Sequence, residues 1–139
     1  MSGFDKALSD RNVANAKKAM EAFGHDMEAF NAMLSPDLHM ELPYAGTINM
    51  PTEMDGQAAI DMFRTAAETF LVRFNSIEVS PLADPNKVIV EYRGYGEPGG
   101  SVYDQRYICV QEWRDDKLVF YREYMDTGVV RDALGAFLG

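Results

Sequence analysis

The hydrophobic period of this chain changes near residue 72, and that change limits the folds open to it. Before it, apolar residues recur at helical spacing; after it, they alternate. Phe4, Ala7, Leu8, Val13, Ala16, Met20 and Phe23 form one helical stripe, with Gly24 as its stop. Asp26 is placed to cap a short second helix carrying Met27, Phe30 and Leu34, which Ser35-Pro36 ends. A strand is predicted over 37–43, an irregular loop over 47–55, and a third helix over 56–71. Asp55 is the expected cap of that helix, and Ile60, Phe63, Ala67 and Phe70 are its buried stripe. Strands then follow over 74–82, through Val88, Val90 and Tyr92 until the glycines from Gly94 to Gly100 break it, over 101–114, and over 118–126. Asp115-Asp116 is a tight turn, and Thr127 caps a last helix bearing Val130, Ala133, Leu134 and Phe137. Helices segregated from a hairpin-linked meander define the α+β class. The expected architecture is a cone: a curved antiparallel sheet with helices packed on its concave side, around a cavity.

Composition narrows the function. At 139 residues the whole chain, 1–139, is expected to form a single domain with a sizeable core. Acidic residues number 22 against 13 basic ones, a net charge of −9, which disfavours nucleic acid and anionic lipid as partners. No apolar run approaches a membrane span, and the first ten residues hold no signal-peptide core. One cysteine, Cys109, makes no internal disulfide; a reducing, cytoplasmic location is the simple expectation.

Short catalytic motifs are absent. The glycines from Gly94 to Gly100 lack the lysine and the following helix of a phosphate loop. His25 and His39 lie on different elements, so no metal site and no cofactor is expected. Cys109 reads as a small buried strand residue rather than a nucleophile. What remains is acidic and aromatic. In the last strand, Glu123 shares a face with Val119, Tyr121 and Met125; set inward, it is desolvated, and its pKa rises into the range useful for acid–base work. The alternative is a structural ion pair with Arg93, Arg106 or Arg122. His39 and Glu41 share one face of the first strand, opposite Met40 and Leu42, and are the candidates for a second catalytic group. Tyr107 and Gln105, beside Tyr103, would hold a substrate oxygen, and Tyr44, Phe63 and Tyr92 complete the expected pocket lining. Parity puts Val88, Val90 and Tyr92 inside and Glu91 and Arg93 outside. The other face of the last strand, with Leu118, Phe120, Arg122 and Tyr124, is less polar than a solvated sheet face, which suggests a homodimer through the outer sheet.

From about residue 8 to 138 the chain resembles the SnoaL-like group of the nuclear-transport-factor-2-like superfamily, which includes polyketide cyclases, ketosteroid isomerase and limonene-epoxide hydrolase. The segments carrying the resemblance are Leu34-Ser35-Pro36-Asp37, Glu41-Leu42-Pro43-Tyr44-Ala45, Gly56-Gln57-Ala58-Ala59-Ile60, Tyr103-Asp104-Gln105-Arg106-Tyr107, and Asp115-Asp116-Lys117-Leu118 leading to Arg122-Glu123-Tyr124-Met125-Asp126. By that resemblance, the hydrolase's terminal-strand aspartate falls on Glu123. Its Arg-x-Asp pair falls on Val90 and Tyr92, which breaks the triad, and its water-positioning Tyr and Asn look like His39 and Glu41. The isomerase's base falls on Leu42, its tyrosine donor near Lys18 and its protonated aspartate near Cys109, so that apparatus is not reproduced. The resemblance therefore implies an enzyme using Glu123, with His39 or Glu41, on a small hydrophobic carbonyl- or epoxide-bearing molecule: a cyclase, isomerase, dehydratase or epoxide hydrolase. The competing expectation is a module on the same fold that binds a hydrophobic ligand, or acts through its dimer surface, without catalysis.

Overall fold

The computed structural model describes residues 3–138, with side chains described to residue 135; the Phe137 side chain lies outside them. Asp5 caps the first helix, α1 (Lys6–Ala22), by accepting from the Leu8 N–H. Phe4 precedes the helix and is exposed, so the buried stripe begins later, at Ala16, Ala19, Met20 and Phe23. Asp26 caps α2 (Met27–Ala32) as expected. This helix ends sooner than its apolar spacing suggests, because Leu34 already opens the first strand, β1 (Leu34–Glu41).

After a 3₁₀ turn at Ala45–Ile48, the segment expected to be irregular supplies a short edge strand, β2 (Glu53–Asp55), paired with His39, Met40 and Glu41. The third helix, α3 (Gln57–Glu68), starts after Gly56, whose positive φ of 58° makes the turn and leaves no side-chain cap. Asp55 is not that cap; its carboxylate is taken by His39. Strands β3 (Arg73–Pro81), β4 (Lys87–Gly96), β5 (Tyr103–Arg114) and β6 (Lys117–Met125) follow, then α4 (Thr127–Leu138). The cap of α4 is Asp126 rather than Thr127, since its carboxylate accepts from the Gly128 and Val129 N–H groups.

The six strands form one curved, unclosed sheet in the order β2-β1-β6-β5-β4-β3, and the fold is α+β. Its pairings are antiparallel except one: β1 runs parallel to β6, because the long α3–β3–β4–β5 excursion returns the chain beside β1 in the same direction. The β5–β6 hairpin turns on Asp115 and Asp116, both at positive φ, as a two-residue hairpin of matching twist requires. Arg11 and Asn15 of α1 both bind Asp116 and fasten the first helix to that turn. A register shift on β6 lets Leu118 face Trp113 while Phe120 faces Glu112, leaving Val119 as the extra residue of a bulge. Hence Leu118 joins Tyr121 inside, where strict alternation would have put Val119. All the long helices cover one face. Phe23 stacks on Phe74 at 4.1 Å, and Phe63 meets Phe30 and Tyr121 edge-on, which closes the core from α1, α2 and α3.

Candidate active site

Tyr92, Cys109 and Glu123 sit on three adjacent strands at the inner face: Cys109 pairs with Glu123 on one side and, on the other, with Val90, two residues from Tyr92. Cys109 is small and has no accessible surface. The Tyr92 side chain therefore passes over β5 and brings its hydroxyl to β6. There Tyr92 donates to Glu123 Oε1 at 2.6 Å, and Tyr121 donates to the same oxygen at 2.7 Å. The two tyrosine hydroxyls lie 2.5 Å apart. Among the described residues Glu123 is thus held by two O–H groups and no cation, and none of the three arginines weighed against it reaches it.

Above this carboxyl lies a cavity of about 70 Å³, several times the ~10–15 Å³ that admits one water. Its walls are Phe23, Met40, Leu42, Met50, Met62, Phe63, Ala66, Phe70, Val72, Phe74, Val130 and Leu134, with Tyr103, Tyr107, Tyr121, Glu123 and Met125. No lysine, arginine or histidine is among them. Loss of hydration in this apolar wall pushes the Glu123 carboxyl above its ordinary pKa, against the two tyrosine hydrogen bonds, which pull it down. Burial also pushes Tyr92, Tyr107 and Tyr121 well above their ordinary value and raises Tyr103, so all four remain O–H donors. Cys109 is pushed up to about 12 by burial first and by Glu123 second, so it is no thiolate.

Of the residues expected here, the structure brings Glu123, Tyr107, Tyr121, Met125 and Phe63 to the cavity wall, with Tyr92 behind Glu123. Tyr107 bonds the Tyr103 hydroxyl, so these two form a second polar spot. Gln105 is buried yet spent: its amide donates to the Asp126 carbonyl and accepts from the Asp126 and Arg106 N–H groups, tying β5 to the start of α4. Tyr44, 56 % exposed, lies outside and packs edge-on to Tyr124.

His39 and Glu41 do not meet Glu123. Met40 and Leu42 take the inward positions of their strand, so alternation turns His39 and Glu41 to the outer face. There His39 bonds Asp55 at 2.7 Å and Glu41 at 3.1 Å, while Arg122 lies 3.6 Å from Glu41. The Asp55 hydrogen bond raises the His39 pKa most, against some desolvation. Ligand-type atoms of His39, Glu41 and Glu53 lie within 4.8 Å of one another and are of a kind that could hold a cation, but here they serve an ion-pair network with Arg122 beside it. Of the methionines the sequence places near the cavity mouth, Met50 and Met62 line the wall together with Met40 and Met125, whereas Met54 does not; sequence reasoning passed over Cys109 as the gap that lets two strands share a carboxyl. The signal for that gap was present: a small residue on the strand between one bearing Tyr92 and one bearing Glu123.

The SnoaL-like domain family matches residues 16–121. The uncharacterized protein YesE of Bacillus subtilis is 34 % identical over 114 residues, 79 % of this chain and 77 % of that protein. A phenazine biosynthesis-related protein of Pseudomonas aeruginosa superposes with a TM-score of 0.80 at 23 % identity, covering 97 % of this chain and 88 % of that one. An epoxide hydrolase of Mycobacterium tuberculosis, of the limonene-epoxide hydrolase type, superposes at 0.66 with 18 % identity, covering 91 % and 94 %. The last two likenesses are of fold.

Proposed function

This chain belongs to the SnoaL-like family, and from that premise we propose that it is an enzyme of acid–base chemistry in which Glu123 moves a proton to or from a small hydrophobic substrate. The observation that carries the reading is one carboxyl, held by the Tyr92 and Tyr121 hydroxyls, at an otherwise apolar cavity wall. A carboxyl without a counter-cation in such a place costs stability, and its raised pKa suits proton transfer near neutral pH. Tyr103 and Tyr107 would hold a substrate oxygen by hydrogen bonding. Carbonyl substrates of cyclisation, isomerisation or dehydration suit this set, since each needs a positioned proton and an otherwise excluded solvent, and epoxide opening suits it with one admitted water as the nucleophile. The mechanism has no role for His39 or Glu41. In assembly, the outer sheet face is proposed to join two copies.

A second reading has its own support. Four methionines, Met40, Met50, Met62 and Met125, line the cavity, and their unbranched side chains suit adaptable binding of a hydrophobic ligand without turnover. The two readings part on Glu123→Gln. Small enones and epoxides would be screened for turnover, and the variant compared on any that react. The enzyme reading expects a fall of about 10²- to 10⁴-fold, the usual contribution of a general acid or base. A folded variant that keeps the full rate, or a wild type that binds such ligands and turns over none, would favour binding alone.

A further inference from the structure

Behind Glu123 runs a buried polar chain that is not part of the cavity wall. Cys109, Gln111 and Trp113 take alternate inward positions of β5, and none of them has accessible surface. The Trp113 indole N–H donates to Gln111 Oε1 at 2.9 Å. An indole nitrogen can only donate, so this bond fixes the amide with Oε1 toward Trp113 and Nε2 turned away. Nε2 then donates to Cys109 Sγ at 3.5 Å and to Met20 Sδ at 3.4 Å. Sulfur is a weak acceptor, and a fully buried amide costs stability unless its bonds are good. Serving Trp113 accounts for the oxygen of Gln111, but not for an amide nitrogen spent on two sulfurs.

The Cys109 thiol is also a hydrogen-bonding neighbour of the Tyr92 and Tyr121 hydroxyls, and burial keeps its proton on at neutral pH. Both hydroxyls already donate to Glu123 Oε1, so what they offer the thiol is a lone pair. With its sulfur taken by the Gln111 N–H, Cys109 turns its S–H to a tyrosine oxygen. Every bond from Trp113 to Glu123 then runs one way, donor to acceptor. Hydrogen bonds in such a chain polarise one another, each making the next a better donor.

We propose that Gln111 is a positioning residue for Glu123: through Cys109 it aims the Tyr92 and Tyr121 hydroxyls at the carboxyl and strengthens their hold on its ionised form. This rests on the reading of Glu123 as the catalytic group and deepens it. The apolar wall drives the carboxyl toward its acid form, the two tyrosine bonds oppose that, and the chain behind them sets how strongly they do.

The test is a carbon-13 carboxyl titration of the full chain labelled at glutamate, with Glu123→Gln for assignment. Gln111→Met keeps the reach of the side chain and removes both amide groups. It should raise the Glu123 midpoint by at least about half a pH unit, roughly a three-fold loss of carboxylate relative to acid. Cys109→Ala cuts the chain in its middle and should raise the midpoint too, and Gln111→Met added to Cys109→Ala should move it no further. Cys109→Ser restores a donor and should return the midpoint to the wild-type value or below it. A merely structural Gln111 would lower the melting temperature and leave the Glu123 midpoint where it is, which overturns the inference. So does an equal shift from Gln111→Met with and without Cys109. If Gln111→Met does not fold, Cys109→Ala against Cys109→Ser decides alone, and equal midpoints overturn the chain. The titration uses no substrate, so a wild type that turns nothing over would remove the catalytic reading of Glu123 and leave the chain standing.

Discussion

At the scale of single residues, the chemistry is concentrated in one costly side chain. A Glu whose folded pKa is raised prefers its proton in the native state. Below the unfolded value of about 4.3 both states are protonated and Glu123 costs nothing. As pH rises past that value the unfolded chain ionises first, so stability is lost up to the folded pKa and then levels off. Glu123→Gln removes this dependence. The stability of wild type relative to Glu123→Gln should therefore fall as pH rises from 4.5 toward 8. Until it levels off, the fall should approach about 1.4 kcal/mol per pH step of one, as read from denaturant midpoints. A difference that stays flat across that range would mean a carboxyl with its ordinary pKa. Cys109, buried without exposed surface and with its thiol pushed up to about 12, gives a companion prediction. At pH 8 the native chain should resist thiol reagents that label it at once in denaturant, by a factor of a hundred or more. Equal rates would place that strand in open exchange with solvent.

At the scale of elements, the cavity depends on two glycine positions that read as strand breakers. Gly94 and Gly96 lie within β4, paired to Gln105 and Tyr103. A Cβ at Gly94 would stand 2.5 Å from the Tyr107 ring and 3.1 Å from Val72, so the missing side chain is the space that ring occupies. Gly94→Ala should cost about 1–3 kcal/mol, as overpacking does. It should also displace Tyr107, weakening ligand binding beyond the loss of stability. A variant as stable as wild type would show that the ring has somewhere else to go. The same element marks what the sequence made legible. Alternation put Val88, Val90 and Tyr92 inside, and Tyr103, Gln105 and Tyr107 on one face, as found, because a half-buried strand has a strict period of two. Glu123 was placed inward on the same logic. His39 and Glu41 shared the right kind of strand but not its inner face: Met40 and Leu42 outcompete them for burial. The parallel β1–β6 pairing and the bulge at Val119 were not legible, since both follow from where distant segments dock rather than from any local pattern. Nor was the reach of Tyr92 across Cys109, which needs three strands in register at once.

At the scale of the whole molecule, the charge of −9 leaves the outer sheet face unlike the rest of the surface. Ile89, Ile108, Val110 and Phe120 alternate outward and are only partly covered. Arg122 lies over the Phe120 and Tyr124 rings, at 5.4 and 5.9 Å from their centroids. Its Nε is buried with no acceptor among the described residues, a state that costs about 1–3 kcal/mol. A sheet face left to water is normally polar. A second copy laid against this one would cover the apolar residues and bring an acceptor within reach of Arg122. The proposed homodimer should therefore be seen by sedimentation at micromolar concentration. Phe120→Glu, which sets two like charges at an interface depleted of them, should shift it to monomer. Because Phe120 faces away from the cavity, the monomeric variant should keep the Glu123 carboxyl raised above its ordinary value. A wild type that sediments as a monomer would refute the dimer while leaving the cavity chemistry standing. A dimer that persists in Phe120→Glu would move the interface elsewhere.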